Sequence, residues 1–176
     1  MATRTLHIDI AIIGGGIAGL WALNQLRSSG YSAALFEQSA LGAGQTIASQ
    51  GIIHSGIKYA LAGALDPGTE TIATMPAAWR DALAGHGKVD LRDCKVLNDN
   101  VYLWTGSGLP NRLKGFFAGK LMHSRVEKLC REDFPSTFQH PGFSGQVYRL
   151  DDMVVDLSSL LHTLSKRHRA AIFSID

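Results

Sequence analysis

The chain has 176 residues, 45% of them hydrophobic and 18% charged, with a formal net charge of +2. That balance belongs to a globular protein long enough to bury a core, and it gives no ground for a nucleic-acid partner. Cys94 and Cys130 form no C-x-x-C pair and no disulfide framework, and no apolar run is long enough to span a bilayer, so a cytoplasmic location without an integral membrane segment is expected.

Taken in order, the first element is Ile10 to Ile13, a short apolar run that reads as a buried strand. Asp9 breaks the stretch after Arg4, which argues against a signal peptide. The strand ends directly in Gly14-Gly15-Gly16, and an amphipathic run begins at Ile17. Gly14, Gly16 and Gly19 stand at the G-x-G-x-x-G spacing of a dinucleotide-binding turn. Gly14 allows the sharp turn, Gly16 lets a pyrophosphate approach the backbone, and Gly19 lets the helix pack on the strand. The helix start at Ile17 and Ala18 then offers N–H groups and a positive dipole end to phosphate. Leu20, Leu23 and Leu26 share one helix face, and Gly30 closes the helix at C′.

A second strand, Ala33 to Phe36, leads to Glu37, where an acid would accept hydrogen bonds from an adenosine ribose. No arginine follows; Gln38 and Ser39 come next, which argues against a 2′-phosphate and hence against NADP. The glycine motif alone is weak. Strand, turn, helix, strand and acid together carry it.

From Ser39 to Tyr59 the chain is small, glycine-rich and hydroxyl-bearing, without steady periodicity, and it reads as one long loop. Ile47, Ile52, Ile53 and Ile57 argue against full exposure. The loop is expected to lie along an extended cofactor, with Gly44, Thr46, Ser49, Gln50 and Gly51 as candidate contacts.

The opening unit, the place of Glu37 and the stretch Ser49-Gln50-Gly51-Ile52-Ile53-His54-Ser55-Gly56-Ile57-Lys58-Tyr59 resemble the FAD-dependent oxidoreductases of the D-amino-acid oxidase superfamily. The branches with glycerol-3-phosphate dehydrogenase and L-2-hydroxyglutarate dehydrogenase are the most similar, over residues 7–62. The resemblance implies an α/β, Rossmann-like FAD/NAD(P)-binding fold with a parallel sheet, plus part of an α+β substrate domain. It implies FAD in extended form, its pyrophosphate at Gly14 to Gly19 and its ribose at Glu37. It places His54 beside the flavin, as a catalytic proton acceptor or a flavin contact; the other possibility is a histidine that only secures its loop. Members are roughly twice this length, so a missing C-terminal half or a partner chain is expected.

Further on, Asp66-Pro67-Gly68 reads as a turn and Thr69 to Ala84 as a helix with Ile72, Trp79 and Leu83 inward, kinked or interrupted at Pro76. Strands are expected around Cys94 to Leu97 and Val101 to Trp104, with turn chemistry at Asn98-Asp99-Asn100 between them. Gly106 to Pro110 reads as a loop, with short helices at Arg112 to Phe117 and Val126 to Phe134. Gly115 to Lys120 is not a P-loop, having one residue too few between its glycines and Leu121 after the lysine. Strands follow at Gln146 to Leu150 and Met153 to Val155, around Asp151-Asp152. A helix is expected from Leu157 to His168, with Leu157, Leu160, Leu161 and Leu164 apolar, and a last strand from Ala170 to Ile175. The basic run Lys166 to Arg169 reads as a solvated helix end.

The expected grouping is an FAD-binding domain over 1–88, a partial substrate domain over 89–145 and, as the resemblance implies, a return to the first domain over 146–176. The histidines show no metal-ligand spacing, so no metal site is expected, and no G-x-S-x-G elbow marks a hydrolase. The function expected is an FAD-dependent oxidoreductase acting on a small polar 2-hydroxy acid, amino acid or polyol phosphate by hydride transfer to the flavin. The alternatives are a non-catalytic dinucleotide-binding module that needs a partner chain, and an NAD-dependent dehydrogenase.

Overall fold

In the computed structural model, residues 5–56, 74–106 and 126–175 are described. In chain order the elements are β1 (Ile10–Ile13), α1 (Ile17–Ser28), β2 (Ala33–Glu37), α2 (Gln45–Ala48), β3 (Ile52–Ile53), α3 (Met75–Leu83), β4 (Val96–Asn98), β5 (Val101–Thr105), β6 (Val126–Lys128), β7 (Gln146–Leu150), β8 (Met153–Val155), α4 (Leu157–Lys166) and β9 (Ile172–Ser174). They fall into two compact units. One takes residues 1–51, 78–96 and 155–176, the other 52–77 and 97–154.

The first unit is built on a parallel sheet of order β1-β2-β9. Ala33, Ala34 and Leu35 of β2 are buried on both faces, as the middle strand of a parallel sheet requires. The returning strand β9 lies in register beside β2, with Phe173 stacked on Phe36 at 5.5 Å between ring centroids. β1 departs from the expectation of a fully buried strand. It stands at the edge of the three described strands, and Ile13 is 77% exposed.

Helix α1 forms where its leucines recur on one face, burying Leu20 and Leu23. It stops because Gly30 takes φ +92, a left-handed conformation that favours glycine. The Asn24 side chain donates to Leu164 O at 2.8 Å and Leu20 O at 2.9 Å, which ties α1 to α4. The Asp156 carboxylate caps α4 by accepting the Ser159 N–H at 2.7 Å. Trp79 packs on Trp21 with ring centroids 5.0 Å apart. α3 starts beside Pro76, and the 69–73 part of the expected helix lies outside the described residues. Pro76 is the second residue of the helix, where a missing N–H costs nothing.

The second unit holds an antiparallel sheet of order β5-β7-β6, in register from Val101 with Leu150 to Thr105 with Gln146. Its core is Leu129, Phe134 and Val147, with Tyr102, Phe138 and Phe143 packed against it. Val126 to Phe134 was expected as a helix and is instead β6 followed by a single 3-10 turn, Arg131–Asp133. Pairing of Lys128 with Tyr148 and burial of Leu129 outweigh the weak local helical pattern. The stretch expected as one long loop contains α2 and β3, and β3 pairs antiparallel with β8. β4 and β5 flank the Asn98-Asp99-Asn100 segment but enter different sheets.

The Asp66-Pro67-Gly68 turn, Ile57, Lys58, Tyr59, Ile72, the 107–110 part of the expected loop, the Arg112 to Phe117 helix and the Gly115 to Lys120 stretch lie outside the described residues. Among the described residues no helix is long and apolar enough to cross a membrane.

Candidate functional site

A cleft of about 550 Å³ opens at the C-terminal ends of the first unit's strands. It is lined by Gly16, Ile17 and Ala18, by Glu37, by Ser39 and Ala40, and by the segment from Gly42 through Thr46. The glycines that form it do separate work. Gly14 has φ +100, so the turn out of β1 uses backbone freedom that a side chain would oppose. A Cβ on Gly19 would lie 2.0 Å from Gly14 O, so α1 can approach the turn only without one. A Cβ on Gly16 would meet nothing within 4 Å except Thr46 Oγ1 at 3.3 Å; it would stand in the open cleft. Gly44, across the lining, also has open space around it.

The floor of this cleft suits an anion. The first turn of α1 carries no acidic side chain. Its early N–H groups have no carbonyl upstream within the helix and point out of its N-terminus. One of them is already taken: Ile17 N–H donates to the buried Thr46 hydroxyl at 3.0 Å. The N–H groups of Ala18 and Gly19 complete the turn. Among the described residues no lysine or arginine lines the cleft, and an incoming negative charge there meets the positive end of the α1 dipole.

Glu37 closes one end. Its Oε2 accepts the Gly15 N–H and its Oε1 accepts the Ser39 N–H at 2.7 Å. These two backbone donors, Gly15 first, hold its carboxyl below the ordinary carboxylate value of 4.5. A carboxylate has further lone pairs, so the same group can still accept from a sugar hydroxyl. Sequence spacing missed this second duty. Glu37 fastens the glycine turn to the segment after β2, and Gly42 N–H adds a bond to Gly15 O at 2.9 Å. Gly15 has its own reason to be glycine, since a Cβ there would lie 2.5 Å from Leu41 Cδ2. The run of three glycines was the only trace of it in the sequence.

Of the later candidates, Thr46 reaches the cleft. The Ser49 hydroxyl donates to Thr46 O at 2.9 Å and so ends α2. Gln38 and Gln50 are exposed. Gly51 has φ +67, and a Cβ there would lie 2.3 Å from Val155 O, which accounts for glycine without any ligand. His54 belongs to the second unit; it follows β3, is half-buried, and has its Nδ1 atom buried.

A smaller cleft of about 260 Å³ also touches Glu37 and Ser39, with Leu41, Arg169, Ile172, Phe173 and Ser174. Arg169 was read as part of a solvated helix end. The 3-10 turn Arg169–Ala171 brings it to the lining shared with Glu37, so a cation is present there that no neighbouring residue of Glu37 could reveal.

The profile of the family described as FAD dependent oxidoreductase, abbreviated DAO, matches residues 9–172. A protein of Pseudomonas aeruginosa named "Probable FAD-dependent oxidoreductase PA4991" is 47% identical over 163 residues, which is 93% of this chain and 42% of that one. The crystal structure of that protein superposes with a TM-score of 0.76 and 34% identity, covering 98% of this chain and 40% of that one. Glycine oxidase from Bacillus cereus superposes with a TM-score of 0.72 at 17% identity, covering 97% and 46%. L-alpha-glycerophosphate oxidase from Mycoplasma pneumoniae, solved with FAD bound, gives 0.56 at 15%, covering 95% and 44%. The last two are likenesses of fold. The chain thus spans less than half the length of the relatives it matches.

Proposed function

The chain belongs to the FAD-dependent oxidoreductase family, and from that premise we propose that it supplies the FAD-binding part of an enzyme oxidising the C–H bond beside a hydroxyl or amine of a small polar substrate. The observation that carries this is the cleft in which a Cβ on Gly16 would stand, floored by the start of α1 and closed by Glu37. FAD, when bound, supplies the ring that accepts the hydride.

The residues then divide as follows. The N–H groups of Ala18 and Gly19 and the bare backbone of Gly16 hold the pyrophosphate. Glu37 accepts from the ribose, and the smaller cleft by Arg169 takes the adenine end. The first unit is accordingly the FAD-binding domain, and the β5-β7-β6 sheet belongs to the substrate domain. His54 takes the proton of the substrate hydroxyl or amine at Nε2, since its Nδ1 is buried. A cytoplasmic location fits two free thiols, Cys94 and Cys130.

The substrate is a 2-hydroxy acid, an amino acid or a polyol phosphate. Supplied with FAD in excess, the protein is expected to show the absorbance spectrum of a bound flavin, and one of glycine, L-phenylalanine, L-2-hydroxyglutarate and glycerol 3-phosphate is expected to bleach it without added dye. Bound NAD in place of flavin would overturn the assignment. Bound flavin bleached by none of them would favour the second possibility, a binding module completed by another chain.

A further inference from the structure

Asp151-Asp152 sits in the turn between β7 and β8, and the proposed function leaves it unused. Asp152 is 5% exposed, a depth at which a carboxylate is costly unless it is hydrogen-bonded. Its Oδ1 accepts both the N–H and the hydroxyl of Ser55, each at 2.8 Å. Ser55 is itself 3% exposed. The ladder that holds this part of the chain has two pairs only, Ile52 with Val154 and Ile53 with Met153. A pairing that short is weak by itself. Its register sets His54 opposite Asp152 at the next position, and there the strands end.

The carboxylate continues the ladder by other means. It grips the residue after His54 through backbone and side chain together. Gly56 follows with φ +80, so the chain leaves this grip in a conformation few other residues adopt readily. His54 is therefore held between a two-pair ladder on one side and a buried two-point clamp on the other.

We infer that Asp152 is a positioning residue for His54: by fixing Ser55 at two points it sets the backbone of the loop and with it the direction of the imidazole. The inference rests on the proposed role of His54 as proton acceptor and deepens it. Asp152 acts on His54 through Ser55.

The test compares Asp152→Asn and Ser55→Ala with His54→Ala, singly and combined, in the FAD-loaded protein, with glycine and glycerol 3-phosphate as probe reductants. Asp152→Asn is expected to keep FAD content and to slow flavin reduction by about tenfold or more, because a small misplacement of an acceptor is costly. It is expected to add no slowing once His54 is alanine. A second readout is the ring signals of His54 in the NMR spectrum of the FAD-free protein, which are expected to move in both Asp152→Asn and Ser55→Ala. Equal slowing in both backgrounds, or unmoved ring signals, would overturn the inference. If His54→Ala reduces its flavin at the original rate, or neither probe reduces it, the proton-acceptor role is what fails or goes unread, and the ring signals alone decide whether Asp152 orients His54. Should Asp152→Asn not fold, Ser55→Ala removes only the hydroxyl donor and carries the same comparison.

Discussion

At the scale of single residues, the glycines of the turn are predicted to separate folding from binding. Gly19→Ala would force a Cβ to within 2.0 Å of Gly14 O, and overpacking of that kind costs about 1–3 kcal/mol or more, a fall in Tm of several degrees. Gly16→Ala meets only a hydroxyl at 3.3 Å and is expected to fold with nearly unchanged Tm while weakening FAD. Gly16→Val is expected to abolish FAD binding, and a titration showing normal affinity would remove the pyrophosphate from this turn. Glu37 gives a pH signature. Its folded value is depressed by the Gly15 and Ser39 amides, so its contribution is present above its unfolded value of about 4.5 and is lost as pH falls through the lower folded value. Urea unfolding from pH 7 to pH 3 should therefore show a shallower acid loss in Glu37→Gln than in the original protein. Equal slopes would mean that the two amide bonds contribute nothing in solution.

At the scale of elements, the cleft depends on a helix that lines no part of it. α4 packs Leu161 over Gly42, where a Cβ would lie 2.5 Å from Leu161 Cδ1, and so backs the segment that lines the cleft. Its start is secured by the Asp156 cap. Asp156→Ala is expected to cost about 1 kcal/mol, a few degrees in Tm, by leaving the Ser159 N–H without its acceptor. An unchanged Tm would show that water replaces the cap at no cost. The same scale shows why one expectation failed. Val126 to Lys128 became a strand because β7 offered it an edge.

For the whole molecule, the exposed side of β1 is the fact to account for. Ile13 leads directly into the glycine turn yet is 77% exposed, whereas strands of parallel sheets are ordinarily covered on both faces. The P. aeruginosa relative is more than twice the length this chain spans of it. Expressed as these 176 residues alone, the protein is expected to hold FAD more weakly than when continued to the relative's length, and equilibrium dialysis of the two forms would measure the difference. A yellow, stoichiometric and stable 176-residue protein would contradict this.

What the sequence by itself determined was the local part: the strand from Ile10, the stop of α1 at Gly30 and the acid at the end of β2. Each follows from short-range chemistry, whether periodicity, a glycine that accepts positive φ, or a spacing dictated by one β-α-β unit. The family was legible for the same reason, since its motifs are contiguous. Tertiary structure alone decided that Thr46 takes the Ile17 N–H, that Glu37, expected only to accept from a ribose, also accepts the Gly15 N–H, that Arg169 joins its cleft, and that Asp152 grips Ser55. These pairings join residues far apart in the chain. No local pattern encodes them, because a buried donor's choice of acceptor depends on which segments packing has already brought together.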